Sequence, residues 1–116
     1  MKLSPDKRRL DATFFALSDS TRRAILARLA RGEATVNELT DLFEISQPAI
    51  SRHLKVLEKA GIVSRSRDAQ RRPATVEIKP IADAITWIER YQALWERTYR
   101  KLDALLADEL KTSKRS

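Results

Sequence analysis

Residues 35–61 read TVNELTDLFEISQPAISRHLKVLEKAG, and this stretch decides the fold. Thr35 is followed three residues later by Glu38, the pattern of a capping box that begins a helix. Ser46 followed by Pro48 marks the start of a second helix, because proline is tolerated in a first helical turn. Two short helices separated by a tight turn are typical of a helix-turn-helix, whose second helix enters the major groove of DNA.

The second helix of this pair has one apolar and one polar side. Ile50, Leu54 and Leu57 recur at helical spacing and predict the buried stripe, and Gly61 suits the position that ends the helix. The N-terminal residues of a recognition helix reach base edges best. The residues predicted to contact DNA from this helix and its cap are Ser46, Gln47, Pro48, Ser51, Arg52, His53 and Lys55.

The chemistry of these side chains predicts different roles. Gln47 can pair bidentately with adenine and Arg52 with guanine. Lys55 is predicted to contact a phosphate. Two interpretations of His53 stay open, a phosphate donor and a partly buried helix residue that packs near the turn.

Basic residues outside the recognition helix extend the predicted DNA surface. From residue 62 the polarity period changes from 3.6 to 2, so residues 62–79 are predicted to form a β-hairpin wing with a polar turn at 68–73. Its arginines suit the minor groove or flanking phosphates, with a solvated turn as the alternative. The predicted contacts are Arg65, Arg67, Arg71 and Arg72 in the wing, with Arg22 and Arg23 at the start of an earlier helix. The alternative for Arg22 and Arg23 is an ordinary exposed helix face.

Two further helices, 7–17 and 81–110, are predicted to pair the chain with a second copy. The second would be about 45 Å long, and its apolar face is wider than a small domain covers alone. The alternative is a helix folded back over its own core. The predicted interface residues are Leu10, Phe14, Ile88, Trp95, Tyr99, Leu102 and Leu106.

Composition excludes several classes of function. The chain has 116 residues, no cysteine and one histidine, which excludes disulfides, thiolate metal sites and cysteine nucleophiles. No Gly-rich phosphate loop or catalytic triad is evident, so neither an enzyme nor a cofactor is expected. Residues 1–11 lack an apolar signal core and no long apolar run follows, so a cytoplasmic protein without a membrane span is expected. The net charge of +7 favours a polyanionic partner, and residues 47–80 carry eight basic and three acidic side chains.

Three motifs resemble the ArsR/SmtB-type winged-helix repressors: LSDSTRRAIL at 17–26, SQPAISRHL at 46–54 and LEKAGIV at 57–63. The resemblance covers roughly residues 10–80. It implies a homodimer built on the first and last helices, an inverted-repeat operator in double-stranded DNA, and repression of transcription. The expected fold is mainly α, one winged-helix domain over residues 1–116 with about five helices, a two-stranded wing and a long C-terminal dimerisation helix.

One departure from this family bears on what the protein senses. Metal-sensing members carry a cysteine box, and the corresponding positions here are Thr35, Asn37 and a place near Thr40. No metal site is therefore expected, since soft metals prefer thiolate or imidazole ligands. The sequence identifies no inducer. Two alternatives to a simple repressor stay open, a small-molecule-responsive regulator with an aromatic pocket at the dimer interface and a winged-helix module that docks a protein.

Overall fold

A computed structural model describes residues 7–67 and 71–115, with side chains to residue 112. In this part of the chain, five helices and one antiparallel hairpin confirm the predicted mainly α winged helix-turn-helix. The elements are α1 Lys7–Leu17, α2 Ser20–Leu29, α3 Val36–Phe43, α4 Gln47–Lys59, β1 Val63–Arg65, β2 Ala74–Val76 and α5 Ile78–Arg115. Val63 pairs with Val76, and Arg65 with Ala74.

Side-chain caps begin the two helices of the helix-turn-helix where the sequence predicts. The Glu38 backbone N–H donates to Thr35 Oγ1 over 3.2 Å, and the Thr35 N–H donates to Glu38 Oε1 over 3.3 Å, which completes the capping box. Ser46 Oγ accepts from the Ala49 N–H over 3.3 Å. Between the helices, Glu44 takes a left-handed conformation with φ of 54°. These local hydrogen bonds satisfy first-turn N–H groups that a helix leaves unpaired.

The core lies where α1, α2, α3 and α4 meet the wing. Ile50, Leu54 and Leu57 of α4 are each 1% exposed or less, as the sequence predicts, and they pack in one cluster with residues of the other elements. That cluster also holds Ala16, Ile25, Leu26, Leu29, Ala34, Leu39, Ala60, Ile62, Val63 and Ala74. The buried stripe of α4 therefore holds its polar side outward.

Several predicted boundaries are wrong. Helix α5 begins at Ile78, not at residue 81, because Pro80 fits the first turn, where its missing N–H is not needed. It also continues beyond residue 110, to Arg115. The sequence predicts the wing over 62–79, whereas its two strands cover only Val63–Arg65 and Ala74–Val76. Residues 68–70 of the predicted turn lie outside the described residues.

Packing within the chain buries one apolar residue of α1 and leaves one of α3 exposed. Leu10, predicted at a subunit interface, is 8% exposed because α1 packs on α2 and α4 of the same chain. Its contribution to a subunit interface stays a prediction. Leu42 of α3 is 56% exposed, because the buried side of this helix runs through Val36, Leu39 and Phe43.

The chain divides into two compact units, residues 1–84 and 85–116. The second unit is the remainder of α5. Every side chain described in this unit is exposed, including eleven large hydrophobic residues between Ile85 and Leu110. The helical spacing of these residues places them along one broad face.

Candidate nucleic-acid interface

The exposed side of α4 is polar and begins at its N-terminus. Gln47, Pro48, Arg52 and Lys55 are exposed, as is the capping residue Ser46. Ser51 and His53 are half-buried. Five of the seven predicted contact residues of this helix are therefore fully accessible to a ligand, and one helix face presents them together.

Gln47 is held by a residue of the preceding helix. Its Nε2 donates to Asn37 Oδ1 over 3.0 Å, across the turn between α3 and α4. This bond uses one of the two Nε2 hydrogens, so the second hydrogen and Oε1 remain for a base edge. Adenine presents the complementary acceptor and donor in the major groove. Sequence reasoning missed Asn37 as a contributor to this site, because no spacing rule links an α3 residue to an α4 amide.

The wing arginines divide into two kinds. Arg65 Nε donates to the Arg72 carbonyl over 2.8 Å, and its Nη1 lies 4.0 Å from Glu58 Oε2 of α4. The Arg65 side chain is only 13% exposed, so it ties the wing to the recognition helix. Arg67, Arg71 and Arg72 are exposed. These three arginines are the cations that the described wing offers to a phosphate.

A groove of about 530 Å³ joins the helix-turn-helix to the wing. It is lined by Thr35, Val36, Asn37, Glu38, Gln47, Arg65, Arg71 and Arg72. Residues far apart in sequence thus line one concave surface, which includes an amide suited to base edges and three guanidinium groups. This is the arrangement expected of a surface that reads bases and contacts the flanking backbone.

The two arginines at the start of α2 differ in their placement. Arg22 is 8% exposed, and its Nε and Nη2 donate to the carbonyls of Ala16 and Phe15 over 2.8 and 3.0 Å. The geometry therefore does not support the predicted direct contact of Arg22 with DNA, because the side chain is buried and its Nε and Nη2 donate to the end of α1. Arg23 is exposed, although its Nη1 donates to the Leu17 carbonyl over 2.7 Å.

The half-buried His53 lies beside this arginine. Arg22 Nη1 is 3.4 Å from His53 Nδ1, and Asp19 Oδ2 is 3.9 Å from the same nitrogen. The Arg22 backbone N–H, which donates to the Asp19 carboxylate over 3.0 Å, lowers the pKa of Asp19 below its ordinary value. The cap of α2 is accordingly an anion at neutral pH.

The described residues carry neither a metal-binding cluster nor a membrane-spanning helix. Within the described ranges, 7–67 and 71–115, no group of three or more His, Cys, Asp or Glu residues could hold a metal ion. No helix in the described part of the chain is both long and apolar enough to span a membrane.

Comparison with known proteins gives consistent matches. The family model described as bacterial regulatory protein, arsR family, matches residues 19–65. The transcriptional repressor SdpR of Bacillus subtilis (strain 168) is 35% identical over 79 residues, covering 68% of this chain and 88% of the relative. The HTH-type transcriptional regulator Rv2034 of Mycobacterium tuberculosis is 39% identical over 87 residues, covering 75% and 78%. A solved ArsR-like transcriptional regulator from Rhodococcus sp. RHA1 superposes with a TM-score of 0.78 at 26% identity, covering 87% of this chain and 93% of that chain.

Proposed function

Because the chain belongs to the ArsR family of bacterial regulatory proteins, which bind DNA and regulate transcription, we propose that it is a repressor that binds an inverted-repeat operator as a homodimer. The observation that carries this proposal is the groove whose lining includes Gln47, Arg71 and Arg72. Such a groove suits a base edge and an adjacent phosphate. A DNA partner would place the working protein in the cytoplasm, with the chromosome.

The exposed face of α5 supports the dimer. Outside the core of unit 1–84, the helix carries its large apolar side chains into solvent. Of the predicted interface residues, Ile88 is 47%, Trp95 52%, Tyr99 60%, Leu102 50% and Leu106 53% exposed. A contiguous apolar face of this extent on a small chain favours burial against a partner. A second copy presents the same face, so a two-fold interface can cover both.

Two recognition helices in such a dimer would enter major grooves about 34 Å apart, one turn of DNA. Selection of bound sequences from a random DNA pool tests this proposal directly. We expect an enriched inverted repeat whose half-sites are separated by about one helical turn. A pool that shows no enrichment at low salt would contradict the proposal and favour a winged-helix module that docks a protein.

Arg52 is proposed to read a base, and Lys55 a phosphate. Arg52→Ala should weaken binding by about 1–3 kcal/mol and relax preference at one base pair of each half-site. Lys55→Ala on the same helix should weaken binding on all sequences alike. Competition titrations with single-base operator variants measure both. A uniform loss for Arg52→Ala would make Arg52 a phosphate contact instead.

Arg71 of the wing is proposed to neutralise a phosphate. Since each neutralised phosphate releases condensed counterions, Arg71→Ala should lower the slope of log affinity against log salt by about 1 per protomer. Arg100→Ala is the control. It removes the same charge from the polar side of α5, opposite the apolar face, and should leave the slope unchanged. A wild-type slope in the Arg71 variant would remove this residue from the footprint.

Aromatic pairs on α5 favour a second candidate function, a regulator that releases DNA when a small apolar ligand enters the dimer interface. Trp87 stacks on Tyr91 with centroids 4.7 Å apart, and the Trp95 and Tyr99 rings lie 6.1 Å apart. Flat exposed rings of this kind suit apolar ligands. Tryptophan fluorescence during a ligand screen, paired with operator release, tests this candidate. Compounds that quench fluorescence without releasing DNA would count against it.

A further inference from the structure

A single buried arginine joins the corner between α1 and α2 to the recognition helix. The guanidinium of Arg22 donates to two carbonyls at the end of α1, those of Phe15 and Ala16, and lies 5.2 Å from the centroid of the Phe15 ring. A cation is stabilised at a helix C-terminus and over an aromatic face. The two carbonyls and the Phe15 ring fix the position of the guanidinium. Its remaining nitrogen, Nη1, lies 3.4 Å from His53 Nδ1.

The chemistry of this contact selects one form of the imidazole. A guanidinium has donors and no acceptor, so a hydrogen bond from Arg22 requires Nδ1 to accept. An accepting Nδ1 carries no hydrogen, and the neutral ring must then carry its proton on Nε2. The Asp19 carboxylate, 3.9 Å from Nδ1, lies beyond hydrogen-bond distance and does not compete for that nitrogen.

The second ring nitrogen faces the other way. Among the described residues no hydrogen bond reaches His53 Nε2, and no buried side-chain nitrogen or oxygen there lacks a partner, so Nε2 is not a buried, unpaired atom. The His53 side chain is 23% exposed, next in the chain to the exposed Arg52. The N–H on Nε2 therefore reaches the surface on the recognition helix.

We propose that Arg22 is a positioning residue for DNA binding, which holds His53 in the Nε2–H tautomer so that this N–H donates to a DNA phosphate. The proposal rests on the proposed DNA-binding function and deepens it. It joins the two interpretations of His53, since Nδ1 takes the buried role and Nε2 the phosphate-donating one. It also gives Arg22 a part in DNA binding, through His53, although Arg22 is buried and does not reach DNA itself.

The tautomer can be measured on the wild-type protein without any variant. His53 is the only histidine among 116 residues, so its imidazole ¹⁵N signals need no assignment. Two-bond ¹H–¹⁵N correlation spectra near neutral pH should show the pattern of a protonated Nε2 and an unprotonated Nδ1. A neutral ring protonated on Nδ1 would overturn the proposal.

Two isosteric variants separate the two nitrogens. His53→Gln places an N–H donor near the Nε2 position, and His53→Asn places an acceptor near the Nδ1 position without an outward donor. We expect His53→Asn to bind operator about tenfold more weakly, because a hydrogen bond to a charged group is lost, whereas His53→Gln stays within about threefold of wild type. Neutral imidazole releases no counterion, so the salt slope should not change in either variant.

The outcomes distinguish this inference from the function on which it rests. Circular dichroism and thermal unfolding confirm that both variants are folded before binding is compared. Wild-type affinity in His53→Asn, or equal losses in both variants, would overturn the phosphate contact while the regulator function stands. Failure of the wild-type protein to bind any DNA would instead contradict the proposed function, and the ¹⁵N spectrum would still test the Arg22–His53 bond.

Discussion

Replacing Leu102 by glutamate is expected to separate the proposed homodimer into monomers and to weaken operator binding by about 100- to 10,000-fold. Leu102 is 50% exposed on α5 and lies at the centre of the apolar face. Burial of an unpaired carboxylate in an apolar interface is unfavourable by several kcal/mol, as two copies would bring two such charges together. Monomers lose the gain that a second linked half-site contributes, which is about 10²–10⁴ in affinity.

Ala104→Glu is the matched control for this variant. It introduces the same side chain and the same charge two residues away, where the helical period of about 100° per residue places it on the opposite, polar side of α5. Light scattering and operator titration of the two proteins at equal concentration measure the effect. If Leu102→Glu remains dimeric and binds as Ala104→Glu does, α5 is not the dimer interface.

Features determined by neighbouring residues in the chain could be predicted from sequence. The capping box at Thr35 and the serine cap at Ser46 act within a single turn, so their residue types suffice to locate two helix starts. The buried stripe of α4 repeats at helical spacing for the same reason. Because that stripe orients the helix, the exposed positions of Gln47 and Arg52 followed without knowledge of the tertiary structure.

Features determined by packing between distant segments could not be predicted in this way. Arg22 and Arg23 are adjacent and look equivalent in sequence, and both donate to carbonyls at the end of α1, yet only Arg22 is buried there. Arg65 is one of four arginines predicted from sequence as wing contacts with DNA, but Glu58 and the Arg72 carbonyl hold its side chain against the protein. Asn37 stands in sequence where metal-sensing relatives carry a cysteine ligand, and in the structure its Oδ1 accepts a hydrogen bond that orients Gln47. In each of these cases the partner lies more than five residues away.

The short helix α3 shows that packing decides which apolar residues of a helix are buried. The four apolar residues of α3 span an arc of about 120° on a helix with 3.6 residues per turn, and Leu42 lies at one edge of that arc. Sequence alone did not separate Leu39 from Leu42, whereas packing on α4 selects the stripe that contains Leu39. In the structure Leu39 is fully buried and Leu42 is 56% exposed.

Truncation of these two leucines should therefore have very different effects on stability. Leu39→Ala removes three carbons from a fully buried side chain and leaves a cavity, which should lower the free energy of unfolding by about 2–5 kcal/mol. Leu42→Ala makes the same chemical change at a largely hydrated position and should lower it by about 0.5 kcal/mol or less. Since both sites lie on one helix, intrinsic helix propensity cancels between the variants.

Urea denaturation at a fixed protein concentration measures both, because the stability of a dimer depends on concentration. Equal denaturation midpoints for the two variants would mean that α3 packs on another face than the one found. That result would also displace Asn37 and undermine its bond to Gln47, since both depend on the rotation of α3 about its axis. The stability of two leucine variants is thus a test of how the base-reading amide is positioned.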